Sequence, residues 1–510
     1  MKKILLLAII LISYYSIAQP SIQWQKCLGG SDIDVANSIQ CTNDGGFIVV
    51  GSTRSNNGNV SGNNGNQDVW IVKTSSSGSI EWQKCIGGSN DDGARSITIT
   101  PDGGYIVAGY TYSNNGDVTG NHGNTDIWVV KLSSLGVIQW QKCYGGTEED
   151  WPNSILLTTD SGFIISGFTS SNDGDVIGNH GSWEAWVFKI NQLGILEWQR
   201  CYGGSNEDFA NSIYPTTDGN YVIAGYTGSF DGDVLGHLGS SDAWVVKIAD
   251  TGSILWQKCL GSYNADEANK IVQTPDGGFL MVGNTNSIEG DVSGNHGGFR
   301  DSWVVKISSL GAIQWQRCLG GSGIDYGNSI LLTVDGGAII GNITTSSDGD
   351  VSGYFGGGGY DIWLVKLDGL GNIEWQKCIG GSGTEYLTGL NPTIHNGYVI
   401  AGSTNSINGD VSGSQGGDDA WVVKLSSALG IETHSNIGVT LYPNPGTNVV
   451  TLKLNINFGN LPYIVTDIEG KIIMQGTVSE NNSTINIEHL SKGVYFITVA
   501  DNQSVKFIKE

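Results

Sequence analysis

Apolar and polar residues alternate in short blocks along most of this chain. Runs rich in Val, Ile, Thr and Trp are separated by stretches of Gly, Asn, Asp and Ser. Ala94–Thr100, Gly104–Thr111, Asp126–Leu132 and Val137–Tyr144 read as four consecutive strands, named A to D here. Short, β-branched and aromatic runs of this kind suit strands rather than helices. Between A and B lies Pro101-Asp102-Gly103-Gly104, which supplies the positive φ a tight hairpin needs. Ser133-Ser134-Leu135-Gly136 makes a second short turn between C and D. A long loop, Tyr112 to Thr125, joins B to C, and Gly145–Asp150 joins D to the next A.

This unit recurs. Trp-Gln-Lys/Arg-Cys occurs seven times, at Trp24, Trp82, Trp140, Trp198, Trp256, Trp315 and Trp375, with spacings of 58 to 60 residues. An acid-x-Trp motif also occurs seven times, at Trp70, Trp128, Trp186, Trp244, Trp303, Trp363 and Trp421. Only Trp151 and Trp183 of the 16 Trp lie outside the two patterns. Four antiparallel strands repeated seven times predict an all-β, seven-bladed β-propeller. The phase argues for a closed ring. The repeats begin with a lone D strand, Ile22–Leu28, and end with a lone A-B-C set from about Leu387 to Leu425. One strand plus three completes a blade and removes the exposed edges of an open array.

The units resemble a family of bacterial propeller repeats. The residues that carry the resemblance are Trp82-Gln83-Lys84-Cys85-Ile86-Gly87-Gly88 and Ser96 to Ile106, with Asp102-Gly103-Gly104 in the turn. It covers about four fifths of the chain and implies a fold, not one activity. Unit six departs at Ala338 and Asn342, and unit seven at Leu387–Asn396.

The ends of the chain bear on its destination. Lys2 and Lys3 precede an apolar stretch from Ile4 to Tyr15 and the small-residue site Ser16-Ile17-Ala18, so residues 1–18 read as a secretory signal. The propeller is expected over 19–431, a linker over 432–438, and a last domain over 439–510. No later segment is apolar enough to span a membrane. In that last domain short alternating runs suit a small immunoglobulin-like β-sandwich. It resembles the type A C-terminal sorting domain of the type IX secretion system of Bacteroidota. The matching residues are Tyr442-Pro443-Asn444-Pro445, Asp467 to Gly470-Lys471, Leu490 to Gly493-Val494-Tyr495, and Val505-Lys506-Phe507. That resemblance implies the type IX machinery as a partner, and a secreted or outer-surface location.

Net charge is −24, which disfavours nucleic acid and anionic lipid as partners. Seven of the eight Cys close the Trp-Gln-Lys/Arg-Cys motif; Cys41 takes a place held by Ile99 and Leu157 elsewhere. Equivalent positions on neighbouring blades lie too far apart for a bridge, so eight free thiols are expected.

In an A-B-C-D meander the short turns share one face and the long B–C and D–A loops share the other. Long loops on a rigid scaffold are where binding usually resides. Three acidic series are expected there. Asp92, Asp150 and Asp208, with Asp34, Asp266, Asp325 and Glu385, come from D–A. Asp117, Asp175, Asp233, Asp291, Asp350 and Asp410 come from B–C, with Asn59 in the first unit. Asp68, Asp126, Glu184, Asp242, Asp301, Asp361 and Asp419 precede strand C. Two readings stand: carboxylates that accept backbone N–H bonds and shape the loops, or oxygen ligands for Ca²⁺. No other cofactor is expected. His122, His180 and His296 read as solvated loop residues.

No Gly-x-Ser-x-Gly or His-Glu-x-x-His motif is present, and no unit shows a distinctive reactive set. The expectation is a non-enzymatic binding or adhesion protein for an extracellular glycan or protein. The alternatives are a carbohydrate-active enzyme with a carboxylate pair in the channel, and a structural surface component.

Overall fold

A computed structural model describes residues 19–394, 397–427, 440–453, 461–468, 471–478, 482–499 and 504–510. The expected signal, the linker and Gly470 lie outside the described residues. The chain divides into two compact units, Met1–Ala428 and Leu429–Glu510.

The first unit contains seven four-stranded antiparallel sheets. Blade two comprises Asp92–Ile99, Tyr105–Thr111, Asp126–Leu132 and Ile138–Tyr144, close to the runs read from the sequence. Blade seven is built as the phase requires. Ile22–Leu28 pairs with Asp419–Leu425, with Trp24 opposite Lys424 and Cys27 opposite Trp421. Strand A of blade one then packs against strand A of blade seven, which closes the ring.

Each blade core is made by the two repeated motifs together. The acid-x-Trp tryptophan is buried on strand C, and its indole N–H donates to the Gln of Trp-Gln-Lys/Arg-Cys on strand D. Trp128 reaches Gln141 at 2.7 Å, and Trp421 reaches Gln25 at 2.7 Å across the closing seam. The Gln amide in turn donates to the B–C loop, as Gln141 does to Thr119. In blades one to six the strand C lysine bonds the Asp of the A–B turn, as in Lys131–Asp102 at 2.9 Å. Blade six buries both of its departures, Ala338 and Asn342. Buried Asn342 pairs with Gly327 where other blades pair Gly with a bulkier residue, and its amide donates to the Trp363 carbonyl at 3.1 Å.

The eight cysteines are free, five of them buried. Burial raises their thiols, Cys27 and Cys318 to about 12, so they behave as small core hydrophobes rather than nucleophiles.

The second unit holds a three-stranded sheet (Thr440–Tyr442, Val449–Lys453, Asn482–Asn486) and a four-stranded one (Ile472–Val478, Leu461–Thr466, Gly493–Val499, Ser504–Lys509). The described sorting-motif residues organise it. The Asn444 amide donates to the Lys506 carbonyl at 3.0 Å, and its Oδ1 accepts from the Ile508 N–H at 2.9 Å. Pro443 and Pro445 flank Asn444 on cis peptide bonds. The Lys471 N–H donates to Asp467, closing a turn. Tyr495, on the strand that Gly493 opens, stacks on Phe507, and its hydroxyl donates to the Ser491 carbonyl at 2.9 Å. The Lys506 side chain is exposed.

Candidate functional site

The structure corrects the acidic-face expectation. Strand A begins two residues earlier than the apolar pattern suggests, at the acid itself. Asp92, Asp150 and Asp208 are therefore fully buried and present no surface. Each carboxylate ties a blade to its own loops: Asp92 accepts from Thr111, from Ser113 at 2.9 Å and from the Gly88 N–H at 2.7 Å. The acids opening strand C are buried as well, and each accepts a B–C loop N–H, as Asp126 does from His122. The histidines are not simply solvated. His122 and His180 bond Asp126 and Glu184 through Nδ1 at 2.6 and 2.7 Å.

The two buried series meet at every blade joint. Asp68 of blade one and Asp92 of blade two face each other across Gly87, where a Cβ would lie 2.6 and 2.7 Å from their oxygens. Asp68 Oδ1 has no hydrogen-bond partner. Burial first, then the neighbouring Asp92 charge, push the Asp68 carboxyl up to about 6; backbone hydrogen bonds oppose them.

Only the B–C aspartates reach solvent. Asp117 is exposed; Asp175, Asp233, Asp291, Asp350 and Asp410 are half-buried. Each donates its N–H to the glycine after strand D, as Asp117 does to the Gly87 carbonyl at 2.9 Å. They stand one per blade. Among the described residues no group of three or more His, Cys, Asp or Glu is arranged to hold a metal ion.

A different set converges. The channel is lined by the fourth residue of strand A, which sits at a bulge in every blade. Asn37, Asn153, Asn211, Asn269 and Asn328 each donate their amide to a strand A carbonyl of the next blade, and Thr388 Oγ1 donates to Ala36. This rail joins six of the seven neighbouring pairs. Blade two breaks it: Arg95 stands in the Asn position, exposed to the channel.

Two residues nearer the long-loop end of strand A, and so roughly 6–7 Å away, the blades differ most. The second residue of strand A is Val35, Gly93, Trp151, Phe209, Glu267, Tyr326 or Tyr386, blade by blade. Its cross-strand neighbour is Ser52, Tyr110, Phe168, Tyr226, Asn284, Ile343 or Ser403. Through blades two to four the rings interlock. Centroids lie 4.3 Å apart for Tyr110–Trp151, 4.6 Å for Phe168–Phe209 and 4.6 Å for Phe209–Tyr226, and Trp183 covers Phe168 at 5.2 Å. Gly93 makes room for the first ring, since a Cβ there would sit 2.7 Å from Tyr110. Tyr326, Tyr360 and Tyr386 form a second arc in blades six and seven. Between the arcs Arg300 pairs with Glu267 at 3.0 Å and lies 5.8 Å from the Tyr326 ring centre. The arc residues are half-buried, except for the more exposed Tyr386.

Both off-pattern tryptophans are in this collar. So are Arg95 and Arg300, and Arg54 occupies the blade-one position that Tyr112 holds in blade two. The two remaining arginines, Arg200 and Arg317, only replace the motif lysine. Sequence reasoning set Trp151 and Trp183 aside as exceptions. Writing the seven units in register and asking where they disagree would have found the collar.

Residues 440–510 match the family model of the secretion system C-terminal sorting domain. The chain therefore carries a type IX export signal that directs it to the cell surface or beyond. Regulatory protein FlaEY of Caulobacter vibrioides is 22% identical over 425 residues, which are 80% of this chain and 39% of that protein. This chain thus spans well under half the length of that relative. Among solved structures, the WD40 domain of Neurospora crassa Pan2 is similar at 11% identity and a TM-score of 0.43, over 78% of this chain and 95% of that one. PorZ, a surface component of the type IX secretion system of Porphyromonas gingivalis, is similar at 10% identity and a TM-score of 0.23, over 93% and 81%. The propeller assignment stands on the strand order.

Proposed function

We propose that this chain, exported through its C-terminal sorting domain, is a non-enzymatic binding or adhesion protein that takes its ligand at the long-loop mouth of the ring. One observation carries the reading. Seven near-identical units diverge where strand A enters the channel, and that is where the off-pattern Trp and Arg gather. Repetition serves folding, so a folding role would be expected to repeat. Half-buried aromatic rings beside amides and guanidinium groups are what a binding site offers: large contact area with a few orienting polar groups. At the level of the rail the channel is lined by amides, Arg, Thr and Leu, and the collar acid Glu267 is paired with Arg300, an arrangement that favours binding over hydrolysis.

The test is an array of extracellular glycans and proteins, with and without calcium, probed with the secreted protein and with Trp151→Val. Val is the residue of blade one at that place, so the variant should fold. The expected result is a ligand retained by the parent and lost at least tenfold by the variant. An array blank in both conditions, or equal binding by both proteins, sinks the reading.

A further inference from the structure

We infer that the mouth binds the end of a glycan whose terminal sugar carries a carboxylate, with Arg95 as the carboxylate partner and the Trp151–Tyr110 surface as the platform for the sugar ring. This rests on the binding role proposed above and names its ligand class.

The argument starts from what Arg95 gives up. In five blades the same position is Asn, whose amide bridges to the next strand A; in blade seven Thr388 does the same. Blade two alone lacks the bridge at this position; Thr98 and Ser96 bond the Ile155 backbone instead, which leaves Arg95 free of that task. The Arg95 guanidinium sits instead 5.9 Å from the Tyr110 ring centre and 5.6 Å from that of Trp151. It lines the channel, is exposed, and makes no salt bridge among the described residues; the Glu149 carboxylate accepts from the Trp151 indole instead, at 3.4 Å. A planar guanidinium held on aromatic faces keeps its outer N–H groups in a fixed fork, the geometry that takes a carboxylate through two parallel hydrogen bonds. The neighbouring ring faces offer stacking area for the body of a sugar. The cavity at the rail measures about 310 Å³, near the lower end of small-molecule sites. That volume suits a terminal unit rather than a through-running polymer.

Charge and backbone narrow the class. A protein of net charge −24 repels a dense polyanion, so the fitting ligand bears one carboxylate on an otherwise neutral chain. An acidic peptide bound by strand addition would need a free strand edge to pair with. Here every inner edge carries a bulge, the rail bridges six of the seven junctions, and at the junction of blades two and three Thr98 and Ser96 bond the Ile155 backbone, so strand addition is disfavoured.

Isothermal titration of the full secreted chain tests this with two matched pairs: sialyllactose against lactose, and glucuronosyl-xylose against its carboxyl-reduced form. The pairs separate a sialate from a uronate as the source of the carboxylate. At least one acidic member should bind ten times more tightly than its neutral counterpart. Arg95→Asn, which copies the other blades and should melt no lower than the parent, should erase that preference. An acidic peptide capturing Arg95 better than either sugar overturns the assignment. So does a preference that survives Arg95→Asn, or equal affinity for acidic and neutral members. If the array finds a Trp151-dependent ligand while these pairs show no acid preference, the ligand class fails and the binding role stands; a blank array removes both.

Discussion

At the scale of residues, one chemical group serves different ends according to its depth. The A–B turn aspartates are half-exposed, and their hydrogen bonds to Thr and Lys outweigh desolvation; Asp102 is held down to about 2, led by its bond from Thr100. Burial dominates at the blade joints, pushing Asp68, Asp150 and Asp242 up to about 6 and Asp361 up to about 7. A carboxyl whose folded value lies above its unfolded value of about 4 binds its proton more tightly in the folded state. Its contribution is complete below about pH 4 and is lost as pH rises through 6 to 7. The melting temperature should therefore fall between pH 5 and pH 8. Asp68→Asn fixes the neutral form and gives Asp92 an amide donor to face. It should melt above the parent at pH 8 and level with it at pH 5; calorimetry showing the reverse order would refute the raised carboxyl at this joint. These acids recur in every unit and were plain in the sequence. Their burial was not, because each acid stands at the edge of the apolar pattern, before its first apolar position.

At the scale of elements, a blade is held by the link from the strand C tryptophan to the strand D glutamine. Both residues are visible as motifs, but that they bond each other follows only from the antiparallel register. Gln141→Leu leaves a buried indole N–H unpaired, a cost of about 1–3 kcal/mol. Gln25→Leu removes the same bond at the closing seam. If the ring is closed by an ordinary blade, urea titration should give the two variants similar losses. A much smaller loss for Gln25→Leu would mean that the seam is frayed. The collar was harder to read. Its residues lie two apart on strand A and opposite a neighbour on strand B, and single-chain spacing does not reveal that they share a channel.

At the scale of the whole molecule, one unit is the ring whose mouth is proposed to bind, and the other is the export signal. Asn444 joins two distant parts of the sorting domain through Lys506 and Ile508. Replacing Asn444 with Ala removes both bonds without touching the propeller. The expected outcome is loss of the protein from the cell surface and medium, with accumulation inside the envelope, as read by immunoblot of fractions. Unchanged export would show that this clamp is dispensable for sorting.

The sequence alone determined the blade number, the strand order and the seam, because repeat spacing and phase are properties of one dimension. It also carried the sorting motif, as four short clusters each local in the chain. Tertiary structure decided which acids face water, since burial depends on what packs over a residue rather than on its neighbours in sequence. Structure also decided which off-pattern residues come together. Ring closure brings the second and fourth residues of seven strands, 58 to 60 positions apart in the chain, around one channel. Only there do Arg95, Trp151 and Trp183 cease to be exceptions to a repeat and become neighbours.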